Sequence, residues 1–412
     1  MADLIPFRAW RPRPGLESRI ASYPYDVVST AEAALLAEEN DLSFLRVVRS
    51  EIDLPAGTDP HHPSVYEKAR VNLHNLMEHG RLVREANPAF YLYAQTMGSH
   101  RQVGIVGGAS VAEYEQGAIK RHEHTRRDKE DDRTRHIAVT NANTGPVFLT
   151  YRAVAAIDRM VARLTQSKPL YHFTAEDGIG HEVWVIDGPK DIAGLRELLA
   201  AIPALYVADG HHRTASAARV GRERRAALPA AGRQPFDHFL AVVFPHDQLR
   251  ILDYNRVVLD LAGLSNEAFL KAIDARFEIS ETPQKKPGEP KRFGMYLDGS
   301  WYCLTARPGS YPTADPVGSL DVAVLQANLF APILGIDDPR TSTRIDFIGG
   351  IRGPEELERR VDQGAAVAFT LFPTSIQQLM AVADAGLVMP PKSTWFEPKL
   401  RSGLLIKTLD SD

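Results

Sequence analysis

Residues 205–220 read LYVADGHHRTASAARV, and this segment restricts the fold more than any other. Residues 205–208 are apolar and predict a buried strand, whereas Asp209 and Gly210 predict a tight turn. The alanines and serine from Thr214 onward predict a closely packed helix. A buried strand that turns directly into a helix is typical of proteins with mixed α/β architecture.

The rest of the chain alternates β-branched or aromatic runs with amphipathic stretches, so we expect a mixed α+β fold. Strands are predicted at residues 90–96, 102–106, 147–150, 169–174, 182–187, 204–209, 238–244, 250–258, 292–297, 301–306 and 366–372. Helices are predicted at residues 29–39, 64–79, 111–120, 152–166, 190–201, 214–225, 265–277, 320–334, 354–364 and 375–385. The length of 412 residues predicts several domains. We place them at 1–110 (an N-terminal α/β part), 111–250 (the core that carries the 205–220 segment) and 251–412 (a C-terminal α/β part).

Charge and cysteine content exclude several classes of protein. The chain has 48 Lys and Arg residues against 52 Asp and Glu residues, a net charge of −4, which argues against nucleic acid as the partner. Its apolar runs are too short to span a bilayer, so no membrane partner is expected. A single cysteine, Cys303, excludes an internal disulfide and a cysteine-rich metal module. These features predict a cytoplasmic protein that acts on a small molecule.

The segment 209–214 is a candidate phosphate site. The first turn of a helix exposes unpaired N–H groups and carries partial positive charge, so phosphate binds there readily. Gly210 allows close approach of the backbone, and His211, His212 and Arg213 add donors beside these amides. The alternative is a solvated turn with a structural arginine and two surface histidines.

Residues 120–133 read KRHEHTRRDKEDDR and form a second candidate. His122, Glu123 and His124 are adjacent, so they cannot form the i, i+4 histidine pair of a zinc protease helix. Glu123 could act instead as a general base on a hydroxyl, with His122 tuning it. The alternative is an exposed, charge-rich helix.

Residues 389–404 read MPPKSTWFEPKLRSGL and form a third candidate. Prolines flank Lys392, Ser393 and Thr394, which suggests a rigid loop that presents an ammonium group and two hydroxyls, and Lys399 and Arg401 follow closely. Such a loop could bind a carboxylate or a phosphate, or it could merely terminate a sheet.

The N-terminal stretches YPYDVV and FLRVVRSEIDLP also look like parts of a site. They contain Asp26, Arg46, Arg49 and Glu51, for which structural arginine–carboxylate pairs are an equally good explanation.

These motifs, together with ILDYNRVV and PPKSTWFEPKLRSGLLI, resemble over nearly the whole chain the bacterial domain-of-unknown-function family ten-fifteen. That family is in turn similar to the free-serine kinases of the ParB/sulfiredoxin-like superfamily. The order of motifs agrees: a His-Glu pair, then DGHHR, then a PK-S/T-T loop. The resemblance implies a ParB/sulfiredoxin-like core that is elaborated at the N-terminus and between its motifs.

The resemblance also implies an activity, the transfer of a phosphoryl group from ADP, ATP or pyrophosphate to a small hydroxylated metabolite, with free L-serine the leading acceptor. Glu123, with His122, would be the base. The donor phosphates would lie on Asp209, Gly210, His211, His212, Arg213 and Thr214, and Lys392, Ser393 and Thr394 would line the substrate pocket. Trp395 and Phe396 stand where the kinases have Arg-His, so Lys399 or Arg401 is expected to meet a substrate carboxylate.

Asp209 is a candidate ligand of Mg²⁺, because this ion binds through one or two carboxylates together with phosphates and waters. Two other functions stay open. A ParB-like nucleotide-binding regulator would use the same phosphate loop, and a phosphohydrolase would use the same residues with water as the acceptor. A homodimer is compatible with all three.

Overall fold

The computed structural model describes residues 2–228 and 232–410, which fall into two compact units. One unit comprises the chain up to Leu249 together with the residues from Pro398 onward, and the other is Arg250–Glu397. Helices and strands alternate in both, so the predicted mixed α/β class is confirmed. The division into three domains stays a prediction, as does the relation of the core to the ParB/sulfiredoxin-like superfamily.

The first unit contains most of the elements. Its strands before Arg250 are β1 (Leu4–Ile5), β2 (Trp10–Pro12), β3 (Leu82–Arg84), β4 (Phe90–Met97), β5 (His100–Ser110), β6 (Ile119–Lys120), β7 (Ala142–Asn143), β8 (Val147–Tyr151), β9 (Tyr171–Thr174), β10 (Gly180–Ile186), β11 (Leu205–Asp209) and β12 (His238–Pro245). Its helices are α1 (Glu17–Ile20), α2 (Thr30–Ala37), α3 (Leu45–Val48), α4 (Pro63–Glu78), α5 (Val111–Glu115), α6 (Arg127–Thr140), α7 (Ala155–Leu164), α8 (Pro189–Ala200) and α9 (His211–Ala227).

A nine-stranded sheet organises this unit, in the order β6-β11-β8-β12-β5-β4-β10-β9, with β1 paired to β5. Two of its pairs, β6 with β11 and β8 with β12, are parallel, and the other pairs are antiparallel. The central strand β12 is buried along its whole length, as expected for a continuous apolar run. The main core lies between this sheet and the helices α7, α8 and α9.

The second unit is built on a six-stranded antiparallel sheet in the order β15-β17-β16-β19-β14-β18, beside a two-stranded ribbon of β13 and β20. Its strands are β13 (Arg250–Leu252), β14 (Tyr254–Val258), β15 (Phe277–Glu281), β16 (Arg292–Leu297), β17 (Ser300–Ala306), β18 (Ile345–Gly349), β19 (Val367–Leu371) and β20 (Trp395–Glu397). Its helices are α10 (Asn266–Asp274), α11 (Asp321–Leu325), α12 (Gly353–Asp362) and α13 (Ile376–Asp384). The last strand of the chain, β21 (Lys407–Thr408), belongs to the first unit and pairs with β7.

Most predicted elements agree with the structure to within a few residues, and the exceptions have local causes. The predicted helix 111–120 ends at Glu115, because Gly117 adopts a φ of 79° that a helix cannot accommodate. The predicted strand 250–258 is broken at Asp253, whose carbonyl accepts a hydrogen bond from the Gly350 amide outside the ladder. The predicted helix 320–334 changes at Gln326 into a single π-helical turn.

No helix among the described residues combines the length and the apolar character that crossing a membrane requires.

His136 on α6 provides a test of the core through pH. Its Nε2 lies 3.0 Å from the carbonyl of Val47, and burial lowers the pKa of the ring to about 4 from 6.5. Between these two values only the unfolded chain binds the proton, so the free energy of unfolding falls as pH drops through this window. From pH 7.5 to pH 5.5 this loss is about 1.3 kcal/mol for one such histidine.

We therefore expect His136→Phe to lose less stability than the parent between these two pH values, by about 1.3 kcal/mol. Urea unfolding at pH 7.5 and pH 5.5 measures this difference. The variant lacks the hydrogen bond to Val47 at both pH values, so this loss does not affect the change in its stability between them. His124→Phe, at an exposed position, should behave as the parent. Equal pH dependence in His136→Phe and the parent would contradict the prediction.

Candidate functional site

Two of the sequence motifs meet because β6 and β11 pair in parallel, with Leu205 opposite Ile119 and Tyr206 opposite Lys120. The carboxyl ends of parallel strands lie at the same edge of a sheet. The chain that leaves β6 carries His122 and Glu123, and the chain that leaves β11 continues into Gly210 and His211. The two motifs are thus neighbours although 81 residues separate Glu123 from the start of the second strand at Leu205 (205 − 123 − 1).

The turn between β11 and α9 depends on Gly210, which adopts φ 92° and ψ 34° in the left-handed region. α9 begins directly after it at His211, three residues before the predicted start at Thr214. No side chain caps this helix, and the Thr214 hydroxyl instead donates to the carbonyl of Gly210 at 3.0 Å. The first-turn amides and the positive end of the helix dipole therefore lie at this edge of the sheet.

Asp209 ends β11 beside a register shift in its pairing with β8. Its Oδ1 accepts a hydrogen bond of 2.7 Å from the Gly210 amide, and its Oδ2 lies 2.9 Å from the Nζ of Lys399. Burial opposes ionisation of this carboxyl group, but Lys399 and Arg213 nevertheless hold its pKa well below the usual range. Asp209 is thus a half-buried anion whose two oxygens both have partners.

His122, Glu123 and His211 form a compact cluster at the ends of β6 and β11. The rings of His122 and His211 meet edge to face with centroids 4.4 Å apart, and the Nδ1 of His211 lies 3.9 Å from the Oε2 of Glu123. Burial lowers the pKa of His122 to about 4 and that of His211 well below 6.5, so both rings are neutral at pH 7. His211 therefore lies beside the predicted pair of Glu123 and His122, as a third member of the cluster.

The two remaining histidines of the motifs do not belong to this cluster. His124 is exposed. His212 accepts a hydrogen bond of 3.0 Å at Nε2 from the amide of Arg126, which fixes the loop before α6 against the start of α9. His212 thus stabilises the loop that carries Glu123.

Arg213 is more buried than a solvated turn would allow, with its side chain 11% exposed. Its Nη1 donates to the carbonyl of Pro146 at 2.5 Å, and its Nη2 lies 3.6 Å from the Oδ2 of Asp26. Its Nε makes no hydrogen bond among the residues that the structure describes. A small cavity of about 30 Å³, enough for one water, is lined by Arg213 together with Tyr25 and Ser402.

Arg401 lies in a different cluster that the sequence did not reveal. Its guanidinium donates to Asp177, lies 4.0 Å from the ring centroid of Tyr23 and approaches His181 at 3.4 Å. Tyr23 in turn donates to Asp177 at 2.9 Å. The only signal in the sequence was YPYDVV, which contains Tyr23, whereas nothing in it marked Asp177 or His181. These contacts favour a structural role for Arg401, and its role at a substrate carboxylate stays a prediction.

The loop with Lys392, Ser393 and Thr394 belongs to the second unit. Lys392 takes a left-handed conformation with φ 56°, and its carbonyl accepts a hydrogen bond of 3.0 Å from the buried guanidinium of Arg256. Ser393 Oγ donates to the carbonyl of Pro390 at 2.6 Å. These hydrogen bonds tie the loop to Arg256 and to its own backbone, and its rigidity and its role in binding a substrate stay predictions.

The N-terminal arginines form the pairs that the structural explanation expects. Arg46 pairs with Asp53, and the Nε of Arg49 lies 3.2 Å from the Oε1 of Glu51. Of the N-terminal charges named in the motifs, Asp26 is the one that reaches the phosphate segment, through Arg213.

Comparison with known proteins gives distant structural neighbours and one family. No curated protein matches the chain. Among solved structures, a free serine kinase in complex with AMP is 13% identical, with 73% of this chain and 91% of that chain covered and a TM-score of 0.36. A conserved hypothetical protein from Pyrococcus furiosus is 12% identical, with 74% and 95% covered and a TM-score of 0.36. SbnI with a C-terminal truncation from Staphylococcus aureus is 13% identical, with 73% and 87% covered and a TM-score of 0.36.

The family profile described as "Protein of unknown function (DUF1015)" matches residues 4–323, which is most of the chain. This match agrees with the motifs that run from YPYDVV to ILDYNRVV. The chain therefore belongs to the DUF1015 family.

Proposed function

We propose that this protein is a phosphotransferase that moves a phosphoryl group from ADP, ATP or pyrophosphate to the hydroxyl of a small metabolite. The leading acceptor is free L-serine, with O-phosphoserine as the product, and this choice rests on the order of motifs in the sequence. The observation that carries the proposal is the uncapped start of α9 at the end of β11, with Arg213 buried in its first turn. Phosphoryl transfer needs mainly positioning and charge stabilisation, which such a helix start can supply.

The donor phosphates would bind at the first turn of α9. Gly210 is left-handed and buried, and a side chain there would meet the Nε of Arg213 at 3.2 Å. The missing side chain thus lets the guanidinium of Arg213 lie against the turn, where it adds a fork of donors that suits phosphate oxygens. The Nε of Arg213, which has no hydrogen bond among the described residues, is one donor that a phosphate would satisfy. His211 and His212 would flank the phosphates with their ring nitrogens.

Glu123 would accept the proton of the acceptor hydroxyl. It follows β6 at the edge where α9 begins, and its Oε2 is 3.9 Å from His211, so the base and the phosphate segment lie within one small region. Lys392, Ser393 and Thr394 would bind the acceptor, which is the part of the proposal that rests on the motif alone.

Mg²⁺ would be expected to arrive with the donor phosphates. Both oxygens of Asp209 already have partners, one in the Gly210 amide and one in Lys399, so an ion at Asp209 would have to displace Lys399. The ion at Asp209 therefore stays a prediction, and the roles of the other residues do not depend on it.

The activity is tested by incubating the purified chain with labelled ADP, ATP or pyrophosphate and a panel of hydroxylated metabolites, with the product identified by mass. L-Serine and homologous hydroxy amino acids belong in the panel, together with a reaction without acceptor. Transfer to one acceptor supports the proposal. Release of inorganic phosphate alone would favour a phosphohydrolase, and donor binding with no turnover would favour a regulator.

Arg213→Ala is expected to weaken binding of the donor about ten- to a hundredfold, since a charge-assisted hydrogen bond to phosphate contributes about 1.5–3 kcal/mol. Calorimetric titration with each donor measures the affinity. Arg213 is buried beside Asp26, so thermal unfolding must show that the variant is folded, and Arg213→Lys provides a second variant that keeps the charge. Arg222→Ala, on the exposed part of the same helix, is the matched control and should bind the donor normally. Unchanged affinity in folded Arg213→Ala would remove this arginine from the phosphate site.

A further inference from the structure

The cluster of His122, Glu123 and His211 contains buried polar atoms without partners. His122 is 2% exposed and His211 is 5% exposed. The two ring nitrogens of His122 and the Nε2 of His211 make no hydrogen bond of standard geometry within the described part of the chain, although the backbone of Val207 lies near the His122 ring. A buried donor or acceptor that is left unpaired is destabilising, and an ion bound to one nitrogen of each ring would satisfy at most two of these atoms.

The positions of these side chains match those of metal ligands. One ligand atom from each of the three residues lies within 4.8 Å of the others, and Nδ1 of His211 lies 3.9 Å from Oε2 of Glu123. Ligands of a tetrahedral zinc ion at about 2.1 Å from the metal are about 3.4 Å from one another. A movement of about half an ångström, within the freedom of a glutamate side chain, would bring this pair to that spacing.

The donor set also selects the kind of ion. Two imidazoles and one carboxylate suit zinc and its neighbours in the first transition row, whereas Mg²⁺ and Ca²⁺ prefer oxygen ligands. Three protein ligands leave a position open for water or a substrate oxygen, as in catalytic zinc sites.

Charges of both signs surround the cluster. Asp209 acts on both rings as a negative charge, while Arg121 acts on His211 as a positive one. Lys399 offsets part of the charge of Asp209. Glu123 supplies the negative charge in direct contact with an ion, which reduces the cost of placing a divalent cation in a buried site.

We propose that His122, Glu123 and His211 bind a divalent transition-metal ion of the zinc class at the edge formed by β6 and β11. The ion is held by one nitrogen of each histidine and by Oε2 of Glu123. This inference rests on the geometry of the cluster and does not depend on phosphoryl transfer. The sequence alone pointed away from a metal here, because the ligand that completes the set, His211, lies at the start of α9, far from His122 and Glu123 in the sequence.

The test measures metal binding directly, on untagged full-length protein that has been stripped with a chelator and contains no phosphoryl donor. Zn²⁺ is titrated by calorimetry, and Co²⁺ is titrated as a spectroscopic probe whose visible absorption reports nitrogen and oxygen ligands. We expect one ion per chain. Loss of a second-shell partner already costs about ten- to a hundredfold in metal affinity, so loss of a ligand in His122→Phe or Glu123→Gln is expected to cost at least about a hundredfold.

His124→Ala is the matched control, since His124 is exposed in the same loop, and it should bind the ion as the parent does. Thermal unfolding with and without Zn²⁺ checks that each variant is folded. If His122→Phe does not fold, Glu123→Gln still tests the site. Binding that is lost in the ligand variants and kept in His124→Ala supports the site. Absence of stoichiometric binding, unchanged affinity in folded ligand variants, or equal loss in His124→Ala would overturn it.

Because no donor or acceptor is present, failure of this experiment leaves the proposed phosphotransferase activity untouched. Conversely, a chain that binds one ion at this cluster but transfers no phosphoryl group would retain the metal site and lose the proposed function. The two outcomes are therefore distinguishable.

Discussion

Glu123→Gln is expected to slow phosphoryl transfer about a hundred- to ten-thousandfold, the usual contribution of a general base. Gln keeps the size of the side chain and most of its hydrogen bonding but cannot accept a proton. Donor affinity should survive or rise slightly, since a negative charge near the phosphates is removed. Single-turnover transfer with saturating donor measures the chemical step, separated from binding.

Two comparisons make this result specific. Glu115→Gln, at an exposed glutamate that pairs with Arg222 at 3.4 Å, makes the same chemical change away from the site and should react at the parent rate. His122→Phe removes a proposed metal ligand but leaves the carboxylate, so a base at Glu123 predicts a smaller loss in His122→Phe than in Glu123→Gln. Equal losses would mean that Glu123 acts only through the ion. A Glu123→Gln rate within about threefold of the parent, under about 1 kcal/mol of barrier, would remove Glu123 from the mechanism and favour a nucleotide-binding regulator.

The local elements of this site could be predicted from the sequence because they depend on neighbouring residues. The apolar run at 205–208 and the following Gly210 predicted a strand and a turn, and both are present. The sequence predicts the start of α9 at Thr214, three residues too late, because His211 and Arg213 are polar and are typical of a turn. In the structure they form the first turn of the helix, with the Thr214 amide donating to the Gly210 carbonyl at 2.9 Å.

The contacts between distant segments could not be predicted, because one sequence does not reveal which strands pair. The meeting of Glu123 with His211 depends on the parallel pairing of β6, a strand of two residues inside a predicted helix, with β11. The burial of Arg213 depends on Asp26 and on the carbonyl of Pro146, which lie far away in the sequence. The sequence therefore names polar residues as candidates, whereas their partners and their exposure are known only from the structure.

The pairing of Lys399 with Asp209 is one of these distant contacts, and it makes a prediction about stability. Lys399→Met keeps most of the volume of the side chain and removes the ammonium, which leaves the carboxylate of Asp209 buried with only the Gly210 amide and the charge of Arg213 to stabilise it. Removing one partner of a buried pair costs about 3–5 kcal/mol. The side chain of Asp209 is 28% exposed, so we expect about 3 kcal/mol in the free energy of unfolding, the lower end of that range.

Denaturant unfolding at pH 7 of the parent, Lys399→Met, Asp209→Asn and the double variant measures this pair. The double variant should recover most of the loss, because a neutral amide beside a methionine leaves no buried charge. Arg19→Met is the matched control: it breaks an exposed pair, with side chains 52% and 83% exposed, and should cost less than about 1 kcal/mol. The pKa of Asp209 is lowered in the folded chain, so its contribution is present above pH 3.8 and is lost as pH falls further. Two results would contradict this prediction: a Lys399→Met chain as stable as the parent, or a double variant less stable than both single variants. Either result would show that Lys399 does not stabilise Asp209.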